Sequence, residues 1–192
     1  WTLGLEALPE SGRFRGAVKS VEGALSARAR SREAAVWKTL ADKEVLCEAL
    51  EAALVAGAGS DSPEAWQERW GALPELPPAW EKKMLARRDA ALSALADPAA
   101  AGSHRKNIEG SAQARREALL ELEMAFGLES PSDLQPQRLA LQVKMLKERF
   151  GGGAAALSTG DRLLAWCAQP GVIDGRDAER RDRLFAAMGQ PR

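Results

Sequence analysis

The feature that most constrains the fold is a degenerate internal repeat centred on residues 66–91, WQERWGALPELPPAWEKKMLARRDAA. Moving position 1 onto position 66 aligns the start of the chain with this stretch, and the shared residues there are Trp1, Ala7, Leu8, Pro9 and Glu10. Moving position 70 onto position 166 aligns the stretch with the end of the chain, and the pairs there include Trp70 with Trp166, Ala72 with Ala168, Pro74 with Pro170 and Arg87 with Arg183. Repeated units stack apolar face against apolar face, so the pattern predicts an elongated or bent array.

The residue content favours helix throughout this array. Alanine and leucine dominate, tyrosine is absent and β-branched residues are scarce, a composition with high helix propensity and low strand propensity. We therefore predict an all-α fold of tandem helical repeats, built from helical hairpins or three-helix units. The predicted divisions are the end of a truncated upstream repeat at 1–30, one helical repeat at 31–98 and another at 103–192.

Apolar periodicity and capping residues predict where the helices begin and end. Residues 1–9 look like the end of a helix, 10–12 like a loop and 97–102 like a small-residue linker. One predicted helix begins near residue 13 and the next covers 33–56. Residues 60–64 start another, with a capping Ser or Asp and with Pro63 as its first helical residue, and Pro74 ends it. Further helices are predicted over about 79–96, 111–126 and 136–150, after the cap at 158–161, and from the loop at 171–175 to about Met188. Gly57 and Gly127 are placed to end two of them.

Charge and hydropathy give no sign of a membrane or a strongly charged ligand. The chain has 27 basic and 27 acidic residues, so it has no overall attraction for nucleic acid or for an anionic membrane. No apolar run approaches the roughly 20 residues that span a bilayer, and no signal peptide opens the chain. We expect a cytoplasmic protein and no membrane partner. Because Trp1 stands inside a repeat, we also expect a fragment whose upstream repeats are missing.

Candidate catalytic and metal-binding residues are few. Glu44, Glu48 and Glu51 lie on one side of a predicted helix, as paired carboxylates for metal or acid–base chemistry would. Di-iron sites in helical bundles also need histidines three residues after a glutamate, and the single histidine, His104, lies in a polar stretch that suggests a loop or a helix start. Residues 151–153 are glycines without the strand and Gly-Lys-Ser/Thr of a phosphate-binding loop, which indicates a flexible turn. We predict no metal, no cofactor and no enzymatic reaction.

The cysteines and tryptophans are interpreted as core residues. Cys47 falls on an apolar helical stripe, and its spacing from Cys167 resembles neither a disulfide framework nor a metal site. Trp66 and Trp70, one turn apart, could stack on nucleic-acid bases. The equivalent repeat position of Trp1, Trp66, Trp70 and Trp166 favours packing instead.

Basic residues are concentrated in four clusters, at 13–32, 105–116, 144–149 and 176–183. The first is the most basic part of the chain, and it is either a solvated helix face or an anion-contacting stripe. Cations on phosphates would make binding fall steeply with salt, so RNA is an alternative partner. Leu139, Val143, Leu146 and Phe150 have coiled-coil-like spacing and are the candidates for contacts between chains.

The segments at 115–131 (RREALLELEMAFGLESP) and 139–153 (LALQVKMLKERFGGG), with the RWGALPELP and arginine–alanine–alanine pieces, resemble a bacterial repeat family called domain of unknown function three-four-nine. In the first full repeat Leu50, Glu51 and Ala53 align with Leu122, Glu123 and Ala125 when position 51 is moved onto 123. The resemblance implies an all-α, tandemly repeated bacterial cytoplasmic protein with no assigned reaction or cofactor. It supplies no catalytic residue.

Together these features predict a non-enzymatic interaction or scaffold module of a larger bacterial protein, which docks another macromolecule over a broad surface. A protein is the first candidate partner. An RNA-associated or ribosome-associated module that uses the arginine clusters is the alternative.

Overall fold

The computed structural model describes the backbone of residues 9–57, 61–150 and 157–189. Within these ranges the chain is all-helical, without strands, as predicted. The α-helices there are α1 (Pro9–Ala56), α2 (Pro63–Gly71), α3 (Pro78–Ala96), α4 (Pro98–Phe126), α5 (Gln135–Phe150), α6 (Thr159–Cys167) and α7 (Gly175–Met188), with a short 3-10 turn, Ser132–Leu134, before α5. Residues 1–8 of the helix end predicted at 1–9, and the glycine turn predicted at 151–153, lie outside the described residues.

The predicted capping residues do begin and end helices. Ser62 accepts a hydrogen bond from the Ala65 amide ahead of Pro63 in the first turn of α2, and Ser158 accepts one from the Asp161 amide at the start of α6. Such side chains satisfy amides that have no partner within the helix. Gly57 and Gly127 end α1 and α4 with φ angles of 70° and 69°, a left-handed conformation that favours glycine.

The first helix differs from the prediction. α1 is one continuous helix of 48 residues, so the loop expected at 10–12 and the break expected before residue 33 are both wrong. Pro9 begins this helix instead of ending an earlier one, because proline is tolerated in the first turn, where its missing amide would have no partner. The glycines after it weaken the helix without interrupting it, since each costs about 1 kcal/mol relative to alanine.

The predicted linker at 97–102 is also wrong. α3 and α4 are separated by Asp97 alone, whose carboxylate caps α4 by accepting a hydrogen bond of 2.9 Å from the Ala99 amide. The small residues that follow are mostly alanines, which are good helix formers. α4 therefore begins at Pro98, well before the predicted start at residue 111, and residue 103 lies inside a helix.

The core lies between the second half of α1 and the helices that surround it, and α5 packs on α4. Its largest cluster of buried apolar side chains includes Trp37, Leu40, Cys47, Trp70, Met84, Leu119, Leu163, Trp166 and Leu184. The first half of α1 lies outside this core. Every residue from 12 to 33 is exposed, and burial begins only at Trp37.

Candidate interaction surface

A network of buried charges joins α1, α3 and α4 to the end of α6 and the loop after it. It is formed by Glu44 and Glu51 on α1, Arg87 on α3 and Arg115 on α4, each at most 4% exposed. Arg87 donates from Nε and Nη2 to the two carboxylate oxygens of Glu51, at 3.1 and 2.7 Å, and its Nη1 pairs with Glu44. Arg115 donates to the other oxygen of Glu44 at 2.7 Å. Each carboxylate is therefore neutralised by an arginine.

The loop after α6 completes this network with backbone groups. Arg87 donates to the carbonyl oxygens of Cys167 and Gly171, at 2.6 and 3.2 Å. Arg115 donates to those of Trp166 and Gln169, at 2.8 and 2.6 Å, and the Gly171 amide donates to Glu51 at 2.8 Å. Buried ions are tolerated only with this degree of compensation. Each carboxylate of the network thus has charged partners that compensate its burial.

The third carboxylate of the predicted row, Glu48, is also used in packing. It pairs with Arg181 on α7 and accepts a hydrogen bond of 3.2 Å from the Ile173 amide. Burial raises the pKa of Glu48, against the opposing effects of Arg181 and of that amide. Within the described residues no group of three or more histidine, cysteine, aspartate or glutamate side chains is arranged to hold a metal ion.

His104 lies neither in a loop nor at the start of a helix, the two positions that its polar neighbours suggested. It is buried within α4, and its Nε2 lies 3.5 Å from a carboxylate oxygen of Glu51. The next residue, Arg105, donates from Nε and Nη2 to the Leu54 carbonyl, at 3.0 and 2.8 Å. A cation at this position satisfies a carbonyl in the last turn of α1 and complements the helix dipole. This polar stretch is therefore part of the interface between α1 and α4.

The tryptophans and cysteines are core residues, as predicted. Trp66, Trp70 and Trp166 are all buried, while Trp1 lies outside the described residues. Both cysteines are buried, and burial raises the pKa of the Cys47 thiol to about 12. Because the thiolate is the reactive form, this environment does not suit a nucleophile.

The four basic clusters separate into buried and exposed groups. Arg115, Arg180 and Arg181 are buried in ion pairs with carboxylates. In the clusters at 105–116 and 176–183, some of the basic side chains are thus buried in the fold. The spacing of basic residues in the sequence could not reveal this burial. The cluster at 13–32 is wholly exposed. In the cluster at 144–149, Lys144 and Lys147 are exposed, and the side chains from 148 onward lie outside the description.

The exposed first half of α1, residues 12–33, is termed the arm. Phe14, Val18, Val21 and Leu25 are 70%, 38%, 59% and 61% exposed. These four residues, termed the arm stripe, follow the alternating four- and three-residue spacing of coiled-coil core positions. Single exposed apolar residues are ordinary, whereas an aligned set on one helix is a candidate interaction site.

The arm is also the most positively charged part of the molecule. It has six basic residues against two acidic ones, a net charge of four positive, and the remainder of the neutral chain has the balancing four negative charges. At 3.6 residues per turn, Lys19 and Arg30 lie on the side of the helix that faces away from the arm stripe. The arm therefore combines an apolar stripe with a basic surround.

A second exposed stripe runs along α5. Leu139 and Leu146 are 63% and 51% exposed, and Val143 between them is also exposed. Leu141, on the opposite side of the same helix, is buried. α5 is thus apolar on two faces, of which only one is covered by the described residues.

Comparisons with known proteins add no relative, since no protein-family model, no curated protein and no solved structure matches this chain. Of the helices in the described ranges, none is both long enough and apolar enough to cross a membrane. The interaction surface must therefore be interpreted from its own chemistry.

Proposed function

We propose that this chain is a non-enzymatic interaction module of a helical-repeat protein, of the kind that the resemblance to the bacterial family described above implies. The observation that carries the proposal is the arm stripe, an aligned set of large apolar side chains exposed on a projecting helix. Burying apolar surface is worth about 25 cal/mol per Å². A partner that covers the stripe gains this free energy, because the described residues of the chain leave the stripe exposed.

A repeated arrangement of contacts supports the helical-repeat part of the proposal. Lys43 on α1 lies over the ring of Trp70 on α2, with Nζ 4.5 Å from the ring centroid. Arg115 on α4 lies over the ring of Trp166 on α6 in the same way, with Cζ 4.1 Å from the centroid. Cations over tryptophan faces are attracted by the ring quadrupole. These two cations occupy the same repeat position, because moving residue 51 onto 123 also moves 43 onto 115.

The acidic position in the same alignment shows an equivalent pairing. Glu51 on α1 accepts two hydrogen bonds from Arg87 on α3, and Glu123 on α4 accepts two from Arg180 on α7. The counterpart of Arg87 in this contact is thus Arg180, whereas Arg183, which the sequence alignment suggested, is 3.7 Å from Glu123. The unit α1–α2–α3 would correspond to α4–α6–α7, with α5 inserted in the second.

Affinity capture from an extract of the source organism tests the interaction function. The full chain should recover a partner at a stoichiometric level. Val21→Glu, which puts a charge in the arm stripe, should lose that partner. Ser20→Glu adds the same charge at the neighbouring position, on the other side of the helix, and should retain it. Capture of no stoichiometric partner by the unchanged protein would count against the proposal.

RNA is the second candidate partner, and the exposed basic arm is the observation that favours it. Phosphate contacts release counterions, so RNA affinity would fall steeply between low and physiological salt. Fluorescence anisotropy with total RNA at both salt concentrations tests this. Saturable, salt-sensitive binding that Arg28→Glu abolishes and Leu25→Ala leaves unchanged would put RNA first. Absence of binding at low salt would exclude it for this chain.

A further inference from the structure

The arm has little to stabilise it as an isolated helix. It contains Gly12, Gly16 and Gly23, and a Cβ added at any of these would meet nothing within 4 Å. Glycine in a helix interior destabilises the helix relative to alanine. Helices in proteins gain most of their stability from packing of an amphipathic face, and the apolar face of the arm is exposed. Packing against a partner would therefore stabilise the helix of the arm.

The width of the arm stripe indicates what kind of partner would fit. At 3.6 residues per turn, Phe14, Val18, Val21 and Leu25 lie within about 60° of the helix circumference. Such a narrow stripe is typical of a coiled coil, whereas a helix that packs on a broad core or lies in a membrane interface has a wider apolar face. Ala17 and Ala24 lie beside the stripe, and their small side chains allow a second helix to approach closely.

The positive charge of the arm indicates that the partner is negatively charged. Arg13 and Arg15 lie near one end of the stripe and Arg28 near the other, and Glu22 lies beside its middle. Two copies of the arm would bring these cations together in either orientation, and like charges at a helix interface oppose pairing. The α5 stripe of a second copy is no better, because Lys147 lies beside it. An acidic partner complements the arm at both ends.

We propose that the arm binds an acidic amphipathic α-helix of another protein, which forms a two-helix coiled coil along the arm stripe. This inference rests on the proposed interaction function and specifies its partner class. The partner helix has apolar residues at its core positions and glutamates or aspartates at the flanking ones. RNA would contact only the cations of the arm, so RNA binding does not explain the apolar stripe. A helix that lies in an anionic membrane surface has a wider apolar face than this stripe.

A designed peptide tests this assignment with the full chain. The probe is a three-heptad peptide with leucine at both core positions and glutamate at the flanking positions, and the matched peptide has lysine in place of glutamate. Fluorescence anisotropy should show saturable binding of the acidic peptide and at least tenfold weaker binding of the lysine peptide. The Kd for the acidic peptide should rise with salt, because screening weakens exposed charge pairs.

Two substitutions of equal charge separate the stripe from general electrostatics. Val21→Glu should weaken binding of the acidic peptide at least tenfold, whereas Ser20→Glu should change the Kd by less than about threefold. Equal losses in both variants would overturn the coiled-coil geometry. Equal binding of the two peptides would overturn the acidic assignment, and so would binding of total RNA or of phosphatidylglycerol vesicles in the absence of any binding of the acidic peptide.

The peptide result and the capture result can fail separately. If the acidic peptide does not bind while the extract yields a partner that Val21→Glu loses, the interaction function stands and the acidic-helix assignment falls. If the peptide binds as described and no partner is captured, the arm recognises acidic helices but the module function loses its support. Failure of both removes both proposals.

Discussion

The two halves of α1 share one continuous helix and differ in what covers them. Residues 12–33 are exposed throughout, whereas the second half buries Leu40, Cys47 and Leu50 in the core. Both halves have apolar residues at helical spacing. Helical periodicity thus identifies an apolar face, but it does not tell whether the same chain or another molecule covers that face.

The same contrast holds for the charged residues of α1. In the second half Lys43, Glu44 and Glu51 are buried and paired with side chains far away in sequence. In the arm the charged residues are exposed. The two halves of α1 therefore differ in how far their charged side chains are buried in the fold. The described residues from 34 onward are termed the body. Substitutions that are matched between the body and the arm can test this difference.

Removing one partner of the buried network should have the largest effect. Arg87→Ala leaves Glu44 and Glu51 without their shared cation, so we expect the free energy of unfolding to fall by about 3–5 kcal/mol. Arg30→Ala in the arm should change it by less than about 0.5 kcal/mol. Urea denaturation followed by tryptophan fluorescence measures both. Similar losses of unfolding free energy for Arg87→Ala and Arg30→Ala would contradict the difference between the buried network and the exposed arm.

Truncating a leucine in each half of α1 compares apolar positions of the same helix. Leu40→Ala opens a cavity in the core and should cost about 2–5 kcal/mol. Leu25→Ala removes an exposed side chain and should cost less than about 0.5 kcal/mol in the free protein. Thermal and urea unfolding would show the difference, and a large loss for Leu25→Ala would mean that the arm is covered within the monomer.

Glu81 should make the body sensitive to acid. Partial burial raises its pKa, but hydrogen bonds from Lys43, from the Leu76 amide and from Trp70 outweigh this effect and lower the pKa below its ordinary value of 4.5. Its contribution is therefore present above pH 4.5 and is lost as the pH falls through the lowered pKa. Glu81→Gln should cost roughly 1.5–3 kcal/mol at pH 7.

The measurement that checks this is the free energy of unfolding of both proteins between pH 7 and pH 3. The difference between them should shrink towards the acid end, since protonated Glu81 resembles glutamine in charge. A difference that stays constant with pH would show that the ion pair with Lys43 is not its source.

Glycine-to-alanine changes should have opposite consequences in the two regions. A Cβ at Gly171 would collide with Arg115, which is held by buried hydrogen bonds, so Gly171→Ala should cost about 1–3 kcal/mol. Gly23→Ala meets nothing within 4 Å and should favour helix in the arm by up to about 1 kcal/mol. Circular dichroism should show more helix in Gly23→Ala, with the urea midpoint unchanged.

Local signals in the sequence predicted much of the helical framework. Ser62, Ser158, Gly57 and Gly127 act at their own positions, so their capping roles could be recognised without tertiary information. The continuity of α1 through residues 10–12 could not, because a polar, glycine-containing segment is compatible with either loop or helix. For the same reason the predicted start of α4, at residue 111, was too late in the sequence.

The buried charges could not be predicted from the sequence, because their partners are distant along the chain. Glu44 meets Arg87 and Arg115, and Glu48 meets Arg181. An arginine in a basic cluster looks the same whether it faces solvent or a buried carboxylate. The repeated Leu-Glu pairs at 50–51 and 122–123 were the one available signal, since they recur at positions where each glutamate meets an arginine. The apolar spacing of the arm stripe can be read from the sequence, but its exposure cannot.

Hydrogen–deuterium exchange of the monomeric chain tests the difference between the two halves of α1 most directly. Amides of residues 12–33 should exchange within seconds to minutes, because few buried contacts support that part of the helix. Amides from Leu40 to Leu54 should exchange only through much larger opening, at rates set by the stability of the body. Addition of the acidic peptide should protect the arm alone. Equal protection of both halves in the free monomer would contradict the proposed role of the arm.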